Sequence, residues 1–137
     1  MKKLFEGRKL LILQVIFVTG LLVSNVIAGK LVNTNLKLGT LEITFPSAVF
    51  AYAITFLMTD VIGELYGKKE ATMTVYVGFI AQVTASILIF LGQLLPALDG
   101  DMQNAYMMLL SQNFMFVIGS LVAYFASQSW DVLIFHR

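Results

Sequence analysis

Asp60 and Glu64 stand four residues apart in TFLMTDVIGELYGKK (55–69), at the end of a stretch that is otherwise almost wholly apolar. On a helix this spacing puts both carboxylates on one stripe, with Phe56 and Tyr52 one and two turns earlier. A carboxylate inside a membrane helix costs at least ~2.5 kcal/mol, so it faces a partner, water or a substrate. The plainer alternative is snorkelling toward water or pairing with Lys68 and Lys69, and Glu64 precedes Lys68 by four residues in the favourable order. Carboxylates beside amides and aromatic rings suit a flat, nitrogen-rich heterocycle. The carboxylate accepts two N–H bonds from a guanine-like edge, an amide bonds the carbonyl, and a ring stacks on the face. The same groups are compatible with a cationic solute or a proton relay.

Other apolar runs carry polar stripes too. Gly78, Gln82, Ser86 and Gln93 share one helical face. Ser120, Tyr124, Ser127 and Asp131 share another, with Gln128 beside them. Gly20, Ser24 and Ala28 have the small-xxx-small spacing of close helix packing, with Asn25 next to them. Packing is the reading for these small residues, as it is for Gly119 and Ala123. For Asp131 a salt bridge to a turn lysine competes with a ligand role. Asp60, Glu64, Asp131 and Gln82 are expected to converge in one layer.

The elements that must hold these residues follow from composition. The chain has 137 residues, 58% of them hydrophobic and 12% charged, and its mean hydropathy is +0.84. A soluble domain of this size could not hide so much apolar surface, so the expected class is an all-α integral membrane protein, a single membrane domain over 1–137. Four spans are predicted, at about 10–29, 45–64, 72–94 and 112–135, each near the 20 residues needed to cross ~30 Å of hydrocarbon. Lys2, Lys3, Arg8 and Lys9 precede the first span, Lys68 and Lys69 follow the second, and Asp99 and Asp101 follow the third. The bias of basic residues places both termini and the Lys68–Lys69 turn in the cytoplasm. Residues 65–71 read as a tight turn with Gly67 as helix cap. Residues 30–44 alternate weakly, as a short hairpin would. Residues 99–111 read as a turn and a short interfacial helix ahead of span four.

Composition also excludes functions. A net charge of +1 gives no field for nucleic acid. There are no cysteines and one histidine, so neither thiolate nor His-cluster metal sites are expected within one chain. No phosphate-binding glycine loop, nucleophile elbow or zinc-protease motif occurs, and no cofactor or enzymatic activity is expected.

The stretches FPSAVFAYAITFLMTDVIGELYGKKEA (45–71), GFIAQ (78–82) and SLVAYFASQSWDVLIFHR (120–137) resemble the queuosine precursor transporter family, also called the putative vitamin uptake transporter family. The resemblance rests on Asp-x-x-x-Glu-x-Tyr-Gly-Lys and Ser-Gln-x-x-Asp-x-x-x-Phe occurring in that order. It implies import of deazapurine precursors of the tRNA base queuosine, such as 7-cyano-7-deazaguanine, through a multi-pass protein of the cell's inner membrane. Carried onto this chain, the family motif marks Asp60, Glu64, Tyr66, Gly67, Gln82, Ser127, Gln128 and Asp131. Asp60 or Glu64 would hold the N–H edge of the base, and Gln82 and Gln128 would bond its carbonyl or pyrrole nitrogen. Tyr52, Phe56 or Trp130 would stack, and Asp131 would neutralise a cation or serve a coupling proton.

Members of that family run past 200 residues with six spans, so the chain reads as the N-terminal part of a six-helix fold. Its polar faces then call for a second copy or two further helices. The competing expectations are a membrane subunit of an ATP-driven vitamin-type importer and a structural membrane protein whose stripes only pack helices.

Overall fold

The computed structural model describes residues 1–135, including the side chains of all of these except 6, 112–113, 124–125 and 127–135. In chain order the elements are α1 (Lys2–Ile27), β1 (Leu31–Leu38), β2 (Leu41–Pro46), α2 (Val49–Tyr66), α3 (Lys68–Leu94) and α4 (Gly100–Phe135). Four helices are long and apolar enough to cross a membrane: Lys2–Ile27, Val49–Tyr66, Lys68–Leu94 and Gly100–Ala123.

The helix bounds differ from the sequence expectation for local reasons. α1 takes in the basic N-terminal residues, because nothing in 2–9 breaks a helix except Gly7. α2 starts at Val49 rather than near 45, because 41–46 is a strand. The separate interfacial helix expected over 99–111 is absent. Those residues form the first turns of a continuous α4 of 36 residues. No proline follows Pro96, and Met, Leu, Ala and Gln around 102–112 are good helix formers. At 36 residues α4 is about 54 Å long and exceeds the hydrocarbon thickness, so only part of it can lie in lipid.

The α2–α3 turn has the expected cap. Gly67 has φ 95° and its N–H bonds to the Gly63 carbonyl at 3.1 Å, a backbone conformation that side chains with a Cβ rarely adopt. The expected hairpin is present as well. β1 and β2 pair antiparallel with Leu38 opposite Leu41 and Val32 opposite Phe45, and an irregularity between Asn33 and Lys37 is accommodated by Asn35 at φ 55°.

Two compact units divide the chain, Met1–Ala85 and Ser86–Arg137. In the first, α1 and α2 are the most closely packed helix pair. Its buried apolar residues are Phe17, Ala28, Ala48, Ala51 and Ile62, and its buried polar residues are Ser24, Asn25, Thr55, Thr74 and Gln82. Three of the five apolar residues are alanine, so this interior is small and polar while Phe50, Ile80 and most other large side chains lie outside. In water that arrangement would be inverted. In lipid the exterior is solvated, and small residues and hydrogen bonds hold the helices together. In the second unit, the Tyr106 hydroxyl donates to the Ile89 carbonyl at 3.2 Å and the Phe90 and Phe114 rings lie 6.5 Å apart.

Candidate functional site

α2 divides its residues by face. Ala51, Thr55 and Ile62 are buried, and Gly20 of α1 packs closely on Thr55 and the Ala51 carbonyl. Tyr52 is half-buried, whereas Phe56 (69% exposed), Asp60 and Glu64 are exposed. The hydroxyls of Thr55 and Thr59 donate to the Tyr52 and Phe56 carbonyls at 2.7 and 2.8 Å, so the helix satisfies its own hydroxyls. Its carboxylates are different. Among the described residues no hydrogen bond or ion pair reaches Asp60 or Glu64, and the one ion pair is Lys37–Glu42. Glu64 and Lys68 do not share a helix, because Gly67 ends α2 and α3 begins at Lys68. Asp60 lies six residues before the end of α2, about 9 Å by helix rise.

Gln82 is in a different setting. It is 2% exposed, and its Oε1 accepts a hydrogen bond from Asn25 Nδ2 at 2.8 Å. The same Asn25 nitrogen donates to the Leu21 carbonyl at 3.1 Å. Two further contacts accompany this pair. Gln14 Nε2 donates to Thr74 Oγ1 at 3.1 Å, and Phe17 and Leu21 cover Gly78 so closely that an added Cβ would come within 2.6 Å of the Phe17 ring. Both series ascend along their helices, so α1 and α3 run parallel. Gln82 lies fourteen residues past Lys68, about 21 Å from the start of α3. The structure therefore places Tyr52, Phe56, Asp60 and Glu64 along one stripe of α2 but does not bring Gln82 to the level of Asp60 and Glu64. The Gln82 amide oxygen is engaged with Asn25 of α1.

Gln14, Asn25 and Thr74 are polar contacts that the sequence reading left without partners. A signal was present: Gln14 and Asn25 are eleven residues apart, three helical turns, and so fall on one face of α1. The Gln128 and Asp131 side chains lie outside the described residues, and only their place on α4 is given. Among the described residues no three His, Cys, Asp or Glu side chains gather as a metal site would need. An open groove of about 320 Å³ between α1 and α2 is lined by Val15, Thr19, Gly20, Val23, Ala51 and Ile54. It presents almost no polar group to a hydrophilic solute.

Residues 46–137 match the family described as "Putative vitamin uptake transporter". The chain belongs to this family. The vitamin uptake transporter match begins at the last residue of β2 and includes Tyr52, Phe56, Asp60, Glu64, Gln82, Gln128 and Asp131. Membership and the four apolar helices make the chain a multi-pass membrane protein of a transporter family for vitamin-like substrates. No curated protein and no solved structure matches the chain.

Proposed function

We propose that this transporter imports a deazapurine precursor of queuosine, such as 7-cyano-7-deazaguanine, across the inner membrane, with the α2 stripe as its substrate-facing surface. The observation that carries this reading is Asp60. It lies about 9 Å inside the end of a membrane helix, exposed, with no partner among the described residues. A carboxylate at that depth is costly unless something outside the helix satisfies it. The N–H edge of a guanine-like base does so with two hydrogen bonds, and Phe56 and Tyr52, one and two turns away, offer rings for its face. The motif around Asp60, Glu64, Tyr66 and Gly67, which resembles that of queuosine precursor transporters, supports the choice of substrate.

In this reading Gln82 acts in helix packing, and Gln128 and Asp131 keep the polar roles that the family resemblance implies. Both termini and the Lys68–Lys69 turn face the cytoplasm, following the distribution of basic residues. A second copy of the chain or another helical partner covers the exposed carboxylate stripe. The test is uptake in cells that cannot make queuosine, with queuosine in their tRNA as the readout. Restoration by the wild-type chain with external 7-cyano-7-deazaguanine, and its loss with Asp60→Asn, is the expected result. Restoration by both to the same level would remove Asp60 from the substrate path.

A further inference from the structure

The β1–β2 hairpin has two unlike faces. Residues directly opposite one another in an antiparallel pair share a face, and the face alternates along each strand. Leu38 opposite Leu41 and Val32 opposite Phe45 therefore lie on one face, with Ile43 between Leu41 and Phe45. Lys37 opposite Glu42 and Asn33 opposite Thr44 lie on the other, where Lys37 and Glu42 form an ion pair at 3.5 Å, and Leu31 opposite Pro46 is the apolar pair of that face, at its root. Leu38 is 74% exposed and Leu41 73% exposed, and Ile43 and Phe45 are exposed as well. Val32 is half-buried, and the other four residues of the apolar face are exposed. An isolated two-stranded hairpin is at best marginally stable in water.

The roots of the hairpin leave the helices at the hydrocarbon boundary. Lys9 is the last basic residue of α1, and the apolar run from there to Ile27 is eighteen residues, about 27 Å. α2 is also eighteen residues long, again about 27 Å. Both lengths are close to the hydrocarbon thickness, so no helical stalk lifts the strands into water. The roots are tied together, because Ser47 Oγ donates to the Ile27 carbonyl at 2.6 Å and Ser47 N–H to the Lys30 carbonyl at 2.8 Å. Exposed apolar side chains continue across them, with Val26 and Ile27 before β1 and Val49 and Phe50 after β2. Exposed apolar side chains therefore flank the hairpin on both sides of its root.

We propose that the hairpin lies on the bilayer surface with Val32, Leu38, Leu41, Ile43 and Phe45 in the lipid interface and its Asn33, Lys37, Glu42 and Thr44 face toward water. Partition of such a face into the headgroup boundary follows the same physics as an interfacial amphipathic helix. The hairpin then fixes the depth of the α1 and α2 ends from which it emerges, independently of which solute the chain carries.

The chain has no native cysteine, so single spin labels can be placed at Leu41→Cys, Ile43→Cys, Asn33→Cys and Thr44→Cys. The full chain is reconstituted in phosphatidylcholine–phosphatidylglycerol vesicles, and collisions with oxygen and with a water-soluble nickel chelate are measured. The expected result is a severalfold preference for oxygen at 41 and 43 and for nickel at 33 and 44. Nickel preference at all four positions would place the hairpin in water and overturn the proposal. Shielding of 41 and 43 from both reagents would show protein on that face and overturn it equally. Two positions per face keep the result readable if one variant does not fold.

Discussion

Asn25 and Gln82 lie inside the first unit, bonded to each other at 2.8 Å, whereas Asp60 and Glu64 stand on the exposed stripe of α2 with no partner among the described residues. Both sets are polar groups on helices made for lipid, and sequence periodicity treats them alike. Their settings differ, and the proposed function gives them opposite work. An amide pair between parallel helices is cohesive, because separating the helices leaves both amides in hydrocarbon. A carboxylate with no partner inside its own unit adds nothing to that cohesion and must be satisfied by something the unit does not contain. On the proposed function the difference between the regions is one of stability against transport, and it can be broken from either side.

The largest expected effect is on transport. Asp60→Asn keeps the shape, removes a charge-assisted hydrogen bond worth about 1.5–3 kcal/mol, and turns a donor toward the substrate's N–H edge. Uptake at limiting substrate should fall roughly ten- to a hundredfold, with the thermal midpoint of the purified protein unchanged. A clear drop in that midpoint would mean that Asp60 is structural and would erase the contrast.

Gly78→Ala should act on the other region. Its new Cβ would meet the Phe17 ring at 2.6 Å, so the ring or α3 must shift. Overpacking of this kind costs about 1–3 kcal/mol, readable as a lower unfolding midpoint in detergent. A neutral result would show that the α1–α3 contact is loose.

Gln82→Leu and Asn25→Leu should each destabilise modestly, and the double variant should lose less than the sum. Membrane side-chain hydrogen bonds give coupling energies of about 0.6 kcal/mol, rising to about 1.7. Zero coupling in that cycle would mean that the 2.8 Å contact holds nothing together. The smallest effect is expected for Glu64→Gln. Only two residues from the end of α2, Glu64 is within reach of interfacial water, and uptake should change by less than about fivefold.

The helices were legible because apolar runs of about twenty residues have few alternatives, and Gly67 was legible because few other residues tolerate its φ of 95°. The hairpin showed in the weak alternation of residues 30–44, while Phe45 was assigned to the second span. What failed was registration between elements. Periodicity says that Gln82 shares a face with Gly78 and Ser86, but not which neighbouring helix that face meets or at what depth. Counting from the turn at Gly67 puts Gln82 about 21 Å along α3 and Asp60 about 9 Å from the end of α2, so the two fall at different levels. The continuity of α4 was missed for a different reason. Residues 99–111 read as a turn and a short interfacial helix ahead of span four, although nothing there after Gly100 interrupts a helix.

The most direct measurement is equilibrium binding of 7-cyano-7-deazaguanine to purified Asp60→Asn and Gln82→Leu variants, with the thermal midpoint of each recorded beside the wild type. The account predicts that Asp60→Asn keeps the wild-type midpoint and loses affinity at least about tenfold, while Gln82→Leu melts earlier and binds as the wild type does. Normal binding by Asp60→Asn together with lost binding by a fully stable Gln82→Leu would contradict it.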